Sequence, residues 1–299
     1  MRIFVTGATG WIGSAVAGRL LDAGHDVIGL ARSDASAEAL EKKGARAHRG
    51  HLDDLDGIHA AASDADAVVH LANKHDWADP AGTNRTERAA VETICEALAG
   101  SHRPFVLAAA LSGLARRRPV LESDVSPAHG PGSHRGGGEN LVLSYAGKGV
   151  RVISVRFAPT VHGAGDPGFI GQVVSAARRH GVSAYLGDSG NVWAAVHRRD
   201  AADLVRLALE RAPAGSRLHA VAEEAVPTRE IAEAVAGVLG VPVTSVASED
   251  AGEHFGFVGR FFGMDMAASS TRTRDLLGWT PTGPTLIEDI LAGAYTAGT

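Results

Sequence analysis

Residues Phe4-Val5-Thr6-Gly7-Ala8-Thr9-Gly10-Trp11-Ile12-Gly13 put a short apolar run directly before three glycines spaced G-x-x-G-x-x-G, and an amphipathic stretch, Trp11 to Ala23, follows. Few arrangements constrain a chain so tightly. Gly7 can turn the backbone sharply, Gly10 removes the Cβ that would keep a pyrophosphate at a distance, and Gly13 lets a helix pack close to the strand. The N-terminus of that helix then directs free N–H groups and a positive dipole end at the phosphates. A glycine triplet alone marks only a tight turn; one set between an opening strand and a helix marks a dinucleotide site. Gly7, Thr9, Gly10, Trp11, Ile12 and Gly13 are therefore the expected phosphate-side residues.

The alternation started by this unit continues. Ile3 to Val5, Val27 to Leu30, Ala45 to Ala47, Val68 to Leu71, Phe105 to Ala108 and Val152 to Val155 read as strands apolar on both faces. Between them, Trp11 to Ala23, Ser36 to Lys43, Leu55 to Ala62 and Thr86 to Ala99 carry helical periodicity, several closed by Gly24, Gly44 or Gly100. This pattern predicts an α/β fold, a Rossmann-type doubly wound parallel sheet with a smaller C-terminal substrate lobe. The expected division is a dinucleotide-binding domain over residues 1–158 and a mainly substrate-binding lobe over residues 159–299, with segments returning to the sheet. In the second part the expected elements are helices at Gly171 to His180, Ala201 to Glu210 and Thr228 to Leu239, and strands at Ser183 to Leu186 and Trp193 to His197. Gly130 to Gly138 is glycine-rich and reads as mobile or tightly turned.

Composition removes several classes of partner. Lys and Arg number 29 against 34 Asp and Glu, a net charge of -5, too acidic overall for a nucleic-acid backbone binder. A single cysteine, Cys95, excludes an internal disulfide and a Cys-type zinc site. With no apolar run near the ~20 residues a bilayer requires, no membrane partner and a cytoplasmic location are expected. No metal is expected either, because His48, His51, Asp53 and Asp54 lack a metal-site pattern.

The end of the second strand, Gly29-Leu30-Ala31-Arg32-Ser33-Asp34, bears on cofactor choice. An acid there accepts from a ribose 2'-hydroxyl, whereas an arginine pairs with a 2'-phosphate. Arg32 and Ser33 favour NADP(H); Asp34, further along, is the counter-signal that keeps NAD(H) open.

With these motifs the chain resembles the short-chain dehydrogenase/reductase superfamily in its extended form, the NAD-dependent epimerase/dehydratases. The resemblance spans nearly the whole chain: Thr6-Gly7-Ala8-Thr9-Gly10-Trp11-Ile12-Gly13, Val69-His70-Leu71-Ala72, Arg49-Gly50-His51-Leu52-Asp53, Arg156-Phe157-Ala158-Pro159-Thr160-Val161-His162-Gly163, and Ala195-Val196-His197-Arg198-Arg199-Asp200-Ala201-Ala202. It implies that Leu71 and Ala72 run under the nicotinamide ribose and that His51 and Leu52 lie at the adenine, with His51 where the family carries an acid. It also implies a small-molecule substrate and a possible homodimer.

The chemical residues depart from that family. Its proton relay is a tyrosine with a lysine four residues on, which lowers the tyrosine's pKa. Tyr145, Tyr185 and Tyr295 are followed at that spacing by Gly149, Ser189 and Thr299. Tyr145 with Lys148 is a near-miss, read as packing and surface. Where the pair belongs, the sequence is Ser133-His134-Arg135-Gly136-Gly137-Gly138-Glu139: His134 or Arg135 replaces the tyrosine, and Gly138 or Glu139 the lysine. Alanines 108–110 stand where the catalytic serine is usual, with Ser112 nearby. Histidine can pass a proton near neutrality and arginine can polarise a carbonyl, so His134 and Arg135 head the catalytic candidates. Asn73 and His75, the latter oriented by Asp76, follow at the carboxyl end of the fourth strand, and His162 is placed to border the substrate. Two minor features read as structure: Arg116-Arg117-Arg118 as a solvated loop, and the aromatics of His254 to Phe262 as core.

The sequence thus supports an NADP(H)-dependent oxidoreductase acting on a small carbonyl or alcohol. A non-redox isomerase, lyase or cyclase, with the dinucleotide structural or transiently used, stays open, as does a dinucleotide-binding sensor without turnover.

Overall fold

The computed structural model describes residues 1–74, 76, 78–114, 118–188 and 190–295. The N-terminal part alternates β1 (Arg2–Thr6), α1 (Trp11–Asp22), β2 (Asp26–Ala31), α2 (Asp34–Lys42), β3 (Arg46–Arg49), α3 (Leu55–Asp64), β4 (Ala67–His70), α4 (Pro80–Leu98) and β5 (Pro104–Ala110). There follow α5 (Gly138–Ser144), β6 (Arg151–Phe157), β7 (Thr160–His162), α6 (Phe169–His180), β8 (Ser183–Leu186), β9 (Val192–His197), α7 (Arg198–Arg211), β10 (Ser216–Ala220), β11 (Glu223–Pro227), α8 (Thr228–Leu239) and β12 (Val243–Val246). Four short helices close the chain: α9 (Ala251–Phe255), α10 (Gly259–Phe262), α11 (Thr271–Leu277) and α12 (Leu286–Leu291).

Seven parallel strands form the main sheet in the order β10-β6-β5-β4-β1-β2-β3. Alternate residues on each strand serve opposite layers, as the pleat requires. Ile3, Val5 and Val69 pack with Val16 and Leu20 of α1 and Leu204 and Val205 of α7. Phe4, Val68, Phe105 and Leu107 pack with Ile58 of α3, Ile94 and Leu98 of α4 and Val142 of α5. The strand order reverses at β1, so the crevice above the carboxyl ends of β1 and β4 is the ligand site of such a sheet.

A second lobe combines a three-stranded sheet, β11-β9-β7, with a parallel pair, β12-β8. Its core joins Trp193, Ile170, Val235 and Leu286 to Phe255, Val258 and Phe262, so the aromatic stretch near the C-terminus is interior packing. From this half of the chain β10 returns to the edge of the main sheet, and α7 covers one face of it against α1.

Four helices start earlier than periodicity predicts: α6 at Phe169 and α7 at Arg198, by two and three residues, and α2 and α4, whose caps explain the shift. α2 begins at Asp34 because Ser33 and Ser36 cap its end reciprocally. α4 begins at Pro80 rather than Thr86: the Asp79 carboxylate accepts from Gly82 N, and Pro80 takes the position where its missing N–H costs nothing. That first turn is polar, so an apolar pattern could not disclose it. Among the described residues no helix is long and apolar enough to cross a membrane.

The tightest point lies between β1 and α1, where a Cβ on Gly13 would overlap Gly7 O. Gly13→Ala should therefore lose about 3 kcal/mol or more of unfolding free energy, the upper range for overpacking, measured by urea titration. Wild-type stability in that variant would contradict the packing.

Candidate active site

The phosphate cradle follows from backbone geometry. Gly7 turns the chain with φ +71, and a Cβ there would stand 2.8 Å from Ala72 N, so the turn packs directly on the end of β4. Gly10 donates its N–H to Gly7 O at 2.9 Å and caps α1, whose first turn carries no acid. The next N–H groups, of Trp11, Ile12 and Gly13, have no acceptor earlier in the helix. An open, cationic helix end faced by glycine fits a pyrophosphate, and Thr9 lies exposed beside it. Trp11 contributes only its backbone here, because its indole N–H is donated to Val161 O at 2.7 Å. The Arg198 guanidinium lies 4.1 Å above its ring, so the side chain joins the cradle to the second lobe.

Just past the end of β2, Arg32 is exposed and makes no hydrogen bond or ion pair with the described residues. Ser33 differs: its hydroxyl accepts from Ser36 N and caps α2. Asp34, the counter-signal, pairs with Arg49 at 2.7 Å on the first turn of α2. The His51 ring accepts from Asp53 N at 3.3 Å, and Leu52 is buried in the α3–α4 layer. Asp53 holds Lys74 Nζ at 2.8 Å and Thr86 Oγ1 at 3.0 Å, and the Lys74 bond above all keeps its carboxyl below the usual range. Among the described residues no group of His, Cys, Asp or Glu is arranged to hold a metal.

The candidate residues Arg135 and Asn73 are built around a carboxylate that sequence reading missed. Glu87 continues the buried stripe of α4 (Ala90, Val91, Ile94, Cys95, Leu98) and is only 2% exposed. Its Oε1 accepts from Arg135 Nε at 2.9 Å and its Oε2 from Asn73 Nδ2 at 2.5 Å; the Arg135 NH2 group pairs with it as well. Two sequence candidates, Arg135 and Asn73, thus meet on one hidden partner. Arg135 adopts left-handed φ 50, ψ 34, and Gly136 and Gly137 follow in the same region. The glycine-rich stretch is a tight left-handed turn clamped to α4: Arg88 donates to Gly136 O at 2.9 Å, and a Cβ on Gly136 would overlap Asn84 O. Such strain in a non-glycine residue persists only where its surroundings impose it.

Glu87, Leu107, Ala108, Ala109, Ala110, Ser126, Ala128, His134, Arg135, Gly137, Gly138 and Glu139 line a cleft above the end of β5. His134 stands at its edge beside Gly113, and desolvation together with the Arg135 charge lowers its pKa below the ordinary imidazole value. Ser126, not Ser112, is the hydroxyl residue of the cleft. Glu139, one of the two candidates for the lysine position, accepts from Ser154 Oγ at 2.6 Å and Arg156 Nε at 2.7 Å, and so neutralises a wholly buried arginine. Tyr145 is buried with Lys148 Nζ 3.9 Å from its ring centroid, a packing pair away from the cleft.

His75 lies outside the described residues, as do Arg116 and Arg117. Asp76, expected to orient His75, accepts from Ala78 N and Asp79 N in a turn. His162 does not border the cleft: it is fully buried, with Nδ1 2.8 Å from Asp289 Oδ2. Near it, Asp166 accepts from Gly168 N and Tyr295 OH, and burial raises its carboxyl to about 6.

Comparison with known proteins gives the family and the fold. Residues 3–221 match the family described as "NAD dependent epimerase/dehydratase family". A Schizosaccharomyces pombe protein, "Uncharacterized protein C2A9.02", is 43% identical over 295 residues, 99% of this chain and 100% of that one. A Stigmatella aurantiaca protein named 4-hydroxy-2-methyl-3-oxo-4-farnesyl-3,4-dihydroquinoline-1-oxide ketoreductase is 27% identical over 223 residues, 72% of this chain and 66% of that one. The dTDP-glucose 4,6-dehydratase DesIV of Streptomyces venezuelae, solved with NAD and TYD bound, superposes with TM-score 0.78 at 20% identity, covering 98% and 96% of the two chains. The chain belongs to the NAD-dependent epimerase/dehydratase family.

Asp166 yields a test of the second lobe. A folded-state value near 6 against an ordinary 3.8 means that ionised Asp166 disfavours the fold, so stability is lost as pH rises through that window. Asp166→Asn should be near neutral at pH 4 and about 3 kcal/mol more stable than wild type by pH 7.5, the upper bound for a shift of about two units. Urea unfolding at the two pH values measures this, and a pH-independent difference would contradict it.

Proposed function

We propose that this protein is an NADP(H)-dependent oxidoreductase acting on a small carbonyl or alcohol. The observation that carries the reading is the cleft above β5, where Arg135, fixed by Glu87, and His134 stand over an alanine floor. The Stigmatella relative's name, a ketoreductase, supports the same class of reaction.

The Gly7–Gly13 cradle, with Leu71 and Ala72, would hold the dinucleotide, which when bound would supply or take the hydride. Arg135 cannot give up its proton at working pH, so its role is to polarise a carbonyl and hold the developing oxyanion. His134 gives the proton in reduction and takes it in oxidation. Because its pKa is lowered, the ring is mostly neutral at pH 7. Reduction should therefore slow about tenfold per pH unit above that pKa, while oxidation rises to a plateau. Initial rates in both directions from pH 5 to 9 read this out, and a profile unchanged in His134→Gln would exclude the histidine.

Arg32 favours NADP(H) because among the described residues its guanidinium has no partner, just past the end of β2, while Arg49 pairs with Asp34. Arg32→Ala should weaken NADPH binding at least tenfold and NADH binding little, by calorimetry. Equal losses would refute the 2'-phosphate role. In the same experiment, absorbance at the reduced-nicotinamide band is followed with a panel of aldehydes, ketones and alcohols. Tight binding without turnover would turn the assignment to a non-redox or sensor function.

A further inference from the structure

The pleat of the main sheet carries one more polar residue toward the reacting end. On the face that packs against α3 and α4, Phe4 is followed by Thr6 and Val68 by His70, and Thr6 and His70 are partners in register. Across the layer, the apolar stripe of α4 ends in Glu87. The last residue of the buried strand row thus faces the last residue of the buried helix row.

His70 is fully buried. Its Nδ1 lies 3.0 Å from Thr6 Oγ1, and that oxygen also accepts from Ala72 N at 3.3 Å. Having accepted from Ala72, the Thr6 oxygen keeps its own proton to offer to Nδ1; that direction puts the ring proton on Nε2, which is buried with no hydrogen-bond partner among the described residues. An N–H buried without an acceptor is costly, and the charged groups that act on this ring are Glu87 and Arg135.

We infer that the ring proton of His70 sits on Nε2 and that His70 is a positioning residue: its Nε2–H steadies the Glu87 carboxylate through space, linking the threonine of the glycine loop to Arg135 through Glu87. The inference rests on the proposed role of Arg135. It follows that the ring stays neutral in use, and burial lowers its pKa to about 4. The ring therefore holds a proton at a fixed atom and transfers none.

Two substitutions separate the ring nitrogens. His70→Asn keeps a polar atom at the Nδ1 position and removes the Nε2 end; His70→Gln places an amide at the Nε2 position. Expected for His70→Asn is a kcat at least tenfold lower, with dinucleotide affinity and substrate KM within twofold of wild type, and for His70→Gln a kcat within threefold. Equal kcat in the two variants, or losses confined to dinucleotide affinity, would overturn the inference. A second readout needs neither turnover nor a substitution: 15N-edited NMR of the wild type should show His70 as the Nε2–H tautomer, and an Nδ1–H or charged ring would overturn it. If no carbonyl or alcohol is turned over but the tautomer is as stated, and the Arg135 Nε–H resonance shifts in His70→Asn and not in His70→Gln, the positioning role holds and only the proposed reaction fails. An Arg135 resonance that ignores both variants would overturn the positioning role.

Discussion

A buried carboxylate that is not paired is among the most costly features a fold can carry, and Glu87 avoids that state by holding both Arg135 and Asn73. Removing one partner of such a pair costs about 3–5 kcal/mol, which is ample to hold Arg135 in a left-handed conformation that non-glycine residues rarely adopt. The turn from His134 to Gly137 and the placement of Asn73 both meet this one charge, and Arg88 holds the same turn through Gly136 O. Glu139, which lines the cleft, repeats the device by pairing with the buried Arg156.

The resemblance implies a tyrosine with a lysine four residues on as the proton relay. Here the corresponding segment is a left-handed turn followed by a short helix, and the groups it presents are an imidazole and a guanidinium. What is preserved is the frame: a seven-stranded parallel sheet reversing at β1, a glycine cradle at that reversal and a cleft one strand further along. The second lobe is tied to the cradle where the Trp11 indole, capped by Arg198, donates to Val161 O.

Most of the fold was legible because burial between two helix layers leaves a plain signature in each central strand. Every strand of the first half lies within two or three residues of where its apolar run predicts it. The cradle was legible for a steric reason, since only glycine fits at residues 7 and 13. The left-handed turn at Gly136 and Gly137 was legible as a glycine cluster, but its partner was not. Glu87 reads as one more charge on a polar helix start, and nothing local shows that it lies underneath. Its only signal was its phase, three and four residues before Ala90 and Val91 on the buried stripe. His162 misled for the opposite reason: it occupies a family substrate-lobe motif, yet it is wholly buried against Asp289, which is distant in sequence.

A double-mutant cycle between Glu87 and Arg135, using Glu87→Ala, Arg135→Ala and the double variant in urea unfolding, tests the central claim most directly. The claim that one buried pair holds the site together predicts a coupling of about 2–3 kcal/mol, with the double variant more stable than the sum of the two losses allows. Losses that simply add would mean that the two residues stand independently and that the site is held by something else.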